Sequence, residues 1–190
     1  MNRFLKLILI SPIILAAIVF IVGYLLPSQW RVSRSIVINK PPQAIYPLVA
    51  DFKHGWPQWS DFDYEDPAIQ YIYAGPDKGV GACRSWISAK MGNGFQRITN
   101  ADPATGVYFD LKMENSNFGL SGKIAFAPSG TGTQVTWTDA GDTGNNIFFR
   151  YMASMMDKMM GNTFERSLAK LKKKAEMPNN KIAKKVNDER

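Results

Sequence analysis

The chain has 190 residues, enough for one domain with an appendage and a sizeable core but short for two domains. Its formal charge of +7 points to nucleic acid only until it is mapped: residues 30–165 carry 12 basic against 13 acidic side chains, and the excess sits in residues 166–190, with nine basic and three acidic. No aromatic interleaves with those basic residues, so base stacking has little support, and one histidine with one cysteine excludes a histidine–cysteine metal cluster, leaving carboxylates alone to build a site.

The first 29 residues are the appendage. From Phe4 to Leu26 only Lys6, Ser11, Pro12, Gly23 and Tyr24 interrupt an apolar run of 23 residues, and about 20 such residues in a helix cross about 30 Å of hydrocarbon. The exit "GYLLPSQW" is large and apolar, unlike the small-residue exit of a cleaved signal. The segment therefore reads as a transmembrane anchor, with a cleaved signal or a buried core helix as alternatives. Arg3 and Lys6 before it nearly balance Arg31, Arg34 and Lys40 after it. A short tail before a first span favours an inside amino terminus, which puts the domain outside the cytoplasm, in a bacterium on the periplasmic face of the inner membrane. The single cysteine, Cys83, allows no internal disulfide.

Residues 31–39, "RVSRSIVIN", alternate as a strand does. "PPQAIYPLVADF" begins a helix at Pro42, which suits a first turn, and Pro47 keeps it short or kinked. Two tryptophans, Trp56 and Trp59, follow around Pro57. From residue 68 to 140 six short strands, "AIQYIYA", "GACRSWISA", "GFQRITNA", "GVYFDLKME", "LSGKIAFA" and "TQVTWTDA", are separated by "GPDKGVG", "KMGNG", "DPAT", "NSNFG" and "PSGTG", whose residues suit tight turns. Six strands so linked make an antiparallel meander. After "GDTGNN" the period becomes helical from about Asn146 to Lys174, with Phe148, Met152, Met155 and Met159 in one stripe, Phe164, Leu168 and Leu171 continuing it, and Gly161 as the one break. A sheet with one apolar face needs a cover, and this helix is the element available. A space is left between them, with Trp56 and Trp59 at its mouth or floor. Residues 176–190 form a basic polar tail, either solvated or touching anionic headgroups.

The order "RSIVINKPPQAIYPLVADF", "WPQWSDFD", "GPDKGVGACRSW", "GNGFQRIT", "GTQVTWTDAGD" and "MDKMMGNTFERSLAKLK" resembles the polyketide cyclase/dehydrase branch of the START-like, or SRPBCC, helix-grip superfamily. The resemblance covers residues 30–175. It implies an α+β helix-grip fold in which a curved seven-stranded antiparallel sheet grips a carboxy-terminal helix around a hydrophobic cavity. Relatives bind lipids, sterols and polyketides. Where the family often has "WSPW", this chain has "WSDF" at Trp59 to Phe62.

Catalytic candidates are few. His54 follows Asp51 in a loop, where an acid–base pair and an exposed loop histidine are both open readings. Cys83 sits in a strand between Ala82 and Arg84 and reads as a buried, inert thiol. Arg84 and Trp86 share one strand face; turned inward, Arg84 would pair with a ligand carboxylate or phosphate, and turned outward it is merely solvated. Val107, Phe109, Leu111 and Met113 share the cavity face of their strand, leaving Asp110 outside. Met152, Met155, Met156, Met159 and Met160 crowd one helix, suiting either plain core packing or a surface that adapts to apolar shapes. The expected cavity residues are Trp56, Trp59, Arg84, Trp86, Phe109, Met113, Trp137, Phe149, Met152 and Met156, with no catalytic residue, metal or cofactor assigned. The expected function is a membrane-anchored carrier or sensor of a hydrophobic or lipid-like molecule, without nucleic acid. The alternative is a metal-free cyclase or dehydratase working in the same cavity.

Overall fold

The computed structural model describes residues 3–114 and 119–178, with side chains from Ile10 onward. Helix α1 (Arg3–Leu25) leads into strand β1 (Gln29–Ile38), helix α2 (Pro42–Ala50), a 3₁₀ turn (Trp56–Gln58) and the one-turn helix α3 (Phe62–Glu65). Strands β2 (Gln70–Ala74), β3 (Cys83–Ile87), β4 (Gly94–Asp102), β5 (Gly106–Met113), β6 (Gly119–Ser129) and β7 (Gly132–Asp142) follow, then helix α4 (Ile147–Glu176). The expected turn "NSNFG" lies, apart from Gly119, outside the described residues, as does the tail from residue 179.

The seven strands form one antiparallel sheet in the order β1-β7-β6-β5-β4-β3-β2. The meander is the local part, set by its turns. The long-range part is β1, which pairs with β7 from Gln29 against Asp142 to Ile38 against Thr133. Pro42 starts α2 and Pro47 sits inside it, and the helix ends after nine residues. Asn146 caps α4, its side chain accepting from the Phe149 backbone N–H at 3.3 Å.

Helix α4 runs unbroken through Gly161, so the expected break is corrected. The missing side chain has another use: a Cβ there would strike the Arg34 guanidinium. Arg34, on β1, crosses under the helix at this point and donates to both oxygens of Asp157, at 2.7 and 3.1 Å, and to Glu165 at 2.7 Å. The Asp157 and Glu165 hydrogen bonds push the guanidinium pKa further up. A second clamp joins α4 to the loop before α3, where Asp61 accepts from Arg166 at 2.6 Å and pairs with Lys170. Burial works to raise the Asp61 pKa, but its hydrogen bonds to Lys170 and Arg166 hold it below the usual carboxylate range.

The buried face of α4 also differs from expectation. Ala153, Phe164, Leu168 and Leu171 are buried, whereas Phe148 and Met155 are 68% and 53% exposed and Met152 and Met159 are exposed with them. The first half of the helix is apolar on two sides, and the inward side is the one carrying Met156 and Met160, which pack on the core. Helix α1 packs its end against the start of α4: Gly23 lies against Ile147 and Tyr151, and the Tyr151 hydroxyl donates to the Val19 carbonyl at 2.7 Å. Elsewhere α1 exposes Ile13, Ile14, Leu15, Phe20 and Ile21. Among the described residues no helix is long and apolar enough to cross a membrane. From Ile10, the first described side chain, to Leu25, α1 rises about 24 Å.

Between α2 and the 3₁₀ turn the chain doubles back so tightly that a Cβ on Gly55 would lie 2.5 Å from the Leu48 carbonyl oxygen, 2.7 Å from that of Asp51 and 2.8 Å from that of Pro47. All three neighbours are backbone. Gly55→Ala should therefore cost about 1–3 kcal/mol, as overpacking does, measured as a lower urea midpoint followed by tryptophan fluorescence with an unchanged denaturant slope.

Candidate ligand-binding cavity

The two tryptophans around Pro57 are drawn inward by hydrogen bonding. The last carbonyls of a helix lack partners within it, and here indoles supply them: Trp56 Nε1 donates to Val49 at 2.7 Å and Trp59 Nε1 to Leu48 at 2.8 Å. Their rings lie 4.9 Å apart and both meet Trp137 of β7, at 5.6 and 5.4 Å. Trp56 also meets Phe109 of β5 at 5.6 Å, edge to face. Trp137 stacks on Phe164 of α4 at 4.2 Å and 15°.

Beside this ring cluster, between sheet and helix, lies a cavity of about 230 Å³. Its floor is the concave sheet, with Phe109, Leu111, Met113 and Leu120; its roof is Met156 and Met160 of α4; Trp56, Phe62 and Ile69 close one side. Such a space is smaller than the about 300–1,000 Å³ of pockets that take drug-sized ligands. A larger open groove of about 840 Å³ runs along β2 to β5, where exposed Ile72 and Phe95 line it with Lys112 and Glu114. The cavity under α4 is the better site, because it is less open than the outer groove and its walls are mostly apolar. Trp86 and Met113 line both spaces and so form the partition between them.

Of the residues singled out in the sequence, Trp56, Arg84, Trp86, Phe109, Met113, Trp137 and Met156 line the cavity. Three do not, and their placement is corrected. Trp59 is fully buried behind Trp56 and Trp137, held there by its bond to α2. Met152 lies on the exposed stripe of α4, and Phe149 sits half-buried in its first turn against Phe148. Phe62, at the end of "WSDF", lines the cavity and meets Trp137 and Phe164, while Asp61 before it forms the ion pairs to α4.

Arg84 faces inward but is already engaged. Its Nε donates to Gln96 Oε1 and its Nη1 to Asp63 Oδ1, both at 2.9 Å. The guanidinium lies 4.6 Å from the Trp56 ring centre, 5.1 Å from Phe52 and 5.4 Å from Tyr71. The Tyr71 hydroxyl donates to the same Asp63 oxygen, and burial followed by the Asp63 charge pushes the Tyr71 pKa up. Arg84 is thus a neutralised, ring-walled ion pair rather than an open anion receptor.

One functional candidate escaped the sequence reading. Asp139 is 4% exposed, lines the cavity, and accepts at Oδ1 from the Trp137 indole N–H at 2.9 Å. Burial pushes its pKa up to about 7 from an ordinary 3.8, against the opposing hydrogen bond from Trp137. Gly122, its partner on β6, leaves the room it occupies: a Cβ there would strike the Phe109 ring and lie 2.5 Å from Asp139 Oδ1. The signal was present in strand phase, since Trp137 and Asp139 are two residues apart and share a face. His54, by contrast, is exposed and faces Asp51 at 3.3 Å, away from the cavity lining. Cys83 is buried, donates to the Gly81 carbonyl and receives the Arg97 Nε–H at 3.3 Å. No cluster of His, Cys, Asp and Glu able to hold a metal occurs among the described residues.

The Asp139 carboxyl gives a pH prediction with a definite sign. It releases its proton near 3.8 in the unfolded chain and near 7 in the folded one, so its contribution to stability is fully present below about pH 4 and is lost as pH rises through about 7. Urea titrations of Asp139→Asn beside the unsubstituted chain should show the variant gaining in relative stability from pH 4.5 to 7.5.

A family model described as "Polyketide cyclase / dehydrase and lipid transport" matches residues 29–176. No curated protein matches the chain. Among solved structures, the NMR structure of KanY protein is similar with a TM-score of 0.58 at 18% identity, over 78% of this chain and 99% of that one. Protein CV1439 from Chromobacterium violaceum gives 0.55 at 14%, over 80% and 99%. The di-domain ARO/CYC StfQ from the steffimycin biosynthetic pathway gives 0.55 at 8%, over 78% of this chain and 51% of that one. At these identities the likeness is one of fold.

Proposed function

Because the chain belongs to the polyketide cyclase/dehydrase and lipid transport family of the SRPBCC superfamily, we propose that it is a membrane-anchored carrier or sensor for a small hydrophobic or lipid-like molecule. The observation that carries this reading is the partly closed space between sheet and α4, whose walls are rings, leucines and methionines with few polar groups. Burying a ligand there gains about 25 cal/mol per Å² of apolar surface removed from water. Met156 and Met160 form a roof of flexible thioethers, which adapts to the shape beneath it.

The anchor rests on residues 1–29. The described side chains of α1 begin at Ile10 and are too few to make a span, and it is the apolar sequence before them, back to Phe4, that brings the 23-residue helix to the length an anchor needs. Its exposed isoleucines, leucine and phenylalanine have water as their alternative environment. The exposed stripe of Phe148, Met152, Met155 and Met159 lies on the helix that α1 packs against, which supports a domain seated at the lipid surface. We place the amino terminus inside and the domain outside the cytoplasm, following the short basic tail before the span.

Asp139 supports a second reading, a cyclase or dehydratase, because an acid titrating near neutrality in an apolar cavity is the group such chemistry needs. Binding is preferred because Arg84, the other charged group on the wall, is already paired with Asp63.

The full chain should sediment with membranes and resist carbonate extraction, and removing residues 1–27 should release it; recovery of a chain beginning near Ser28 from cells making the full protein would instead show a cleaved signal. In a titration with a neutral naphthalene fluorophore, Met156→Ala and Met160→Ala should each weaken uptake in proportion to the apolar area they no longer bury, while His54→Ala changes nothing. Under the enzyme reading, Asp139→Asn would lower turnover by about two to four orders of magnitude with uptake intact.

A further inference from the structure

The polar groups of the cavity wall are nearly all donors. Arg84 donates to the Gln96 side-chain oxygen and engages one of its two lone pairs, while the two Gln96 N–H groups are left to donate to a ligand. Trp86 is nine-tenths buried and lines the cavity, and its indole N–H is buried with no partner among the described residues. A buried donor without an acceptor is costly until something supplies an oxygen. The Trp137 indole occupies one Asp139 oxygen, so a neutral Asp139 carries its proton on the other as a third donor.

These donors stand apart. Gln96 is on β4 and Asp139 on β7, three strand spacings away along the sheet, about 14 Å by the path of the backbone. Leu111, Leu120 and Phe109 form the apolar floor between them. The charged groups near this wall are spent on one another. Arg84 of β3 is held by Asp63 of α3, with Tyr71 of β2 on the same oxygen. Arg34 of β1 is held by Asp157 and Glu165 of α4. Against Asp139 itself stand Gly122 from β6, Val32 from β1 and, across the cavity, Met156 and Met160 from α4, none of them charged.

Building on the carrier reading, we propose that Asp139 contacts the ligand as a neutral carboxylic acid, and that with Trp86 and Gln96 it makes the cavity select compact, uncharged molecules carrying acceptor oxygens, such as ketones, esters or ethers, over carboxylates. Among the described residues the cation on the wall, Arg84, is already paired with Asp63, so an anionic ligand finds no free cation there. It would also lie beside a carboxyl group that cannot ionise next to it without repulsion. Ionising Asp139 removes its donated hydrogen bond and places a second acceptor opposite the ligand oxygen. Affinity for a neutral acceptor therefore falls as Asp139 loses its proton.

The test compares 2-acetylnaphthalene with 2-naphthoate, which share a ring system and differ in charge. Each is titrated into the full chain in lipid nanodiscs, by tryptophan quenching against empty nanodiscs, from pH 5 to 9. The ketone should bind evenly up to about pH 7 and then weaken by up to tenfold per pH unit. At pH 8 it should still bind at least tenfold more tightly than the naphthoate. Asp139→Asn, which keeps an N–H donor in place, should bind the ketone with no pH dependence. Equal or tighter binding of the naphthoate, a flat profile in the unsubstituted chain, or a slope surviving in Asp139→Asn overturns the inference and leaves the carrier reading standing. Failure of both probes to enter overturns the two together. If the variant does not fold, the pH profile and the ketone preference of the unsubstituted chain decide the question by themselves.

Discussion

The fold turns on two hydrogen bonds made by tryptophans to the end of a helix. The Leu48 and Val49 carbonyls of α2 face the interior, where an unsatisfied acceptor would cost about 1–3 kcal/mol, and the Trp59 and Trp56 indoles satisfy them. To do so both rings must enter the core, and once there they meet Trp137 and Phe109 on the sheet and, through Trp137, Phe164 on α4. One capping requirement thus ties α2, the sheet and the long helix into a single ring cluster. Gly55 is part of the same device, because only a residue without a side chain lets the chain fold back against the Pro47, Leu48 and Asp51 carbonyls at the end of α2.

The cluster fills one part of the space under α4 and leaves the rest open. The opening does not need α4 to be held by packing alone. Arg34 grips Asp157 and Glu165 from β1, and Asp61 grips Arg166 and Lys170 from the loop before α3. These pairs fix the middle of the helix from both sides, so Met156 and Met160 can roof a cavity instead of collapsing into it. Exposed pairs of this kind contribute little stability singly; here their effect is positional. The polar walls follow the same logic: Arg84 and Asp63 neutralise each other beneath rings, and Asp139 remains as the buried carboxyl on the opposite part of the sheet.

The local architecture could be read from the sequence because it is written in local signals. Alternation paired Arg84 with Trp86 on one strand face, without saying which way it turned, and put Phe109 and Met113 on the cavity face of another strand; the proline pair started α2 at Pro42. The pairing of β1 with β7 joins segments a hundred residues apart and has no local mark; the family resemblance implied seven strands in the sheet but not which strand the first one joins. Helix α4 misled because its first half carries apolar residues on two faces, and helical period alone does not say whether Met152 or Met156 points inward. Gly161 looked like a helix break and proves to be clearance for Arg34, a contact across the fold. Asp139 was within reach, two residues from an inward tryptophan, but an aspartate reads as a surface residue until its strand's phase is followed to the end.

A carrier or sensor requires that the space between the sheet and α4 hold a small molecule. The most direct measurement is mass spectrometry of the organic extract from the purified full chain, set beside the same extract from Met160→Trp, whose added ring fills the roof of the cavity. The expected result is an uncharged apolar compound in near-stoichiometric amount with the unsubstituted chain and its loss from the filled variant, with both proteins folded. The same compounds in equal amount from both, or none from either, would contradict it.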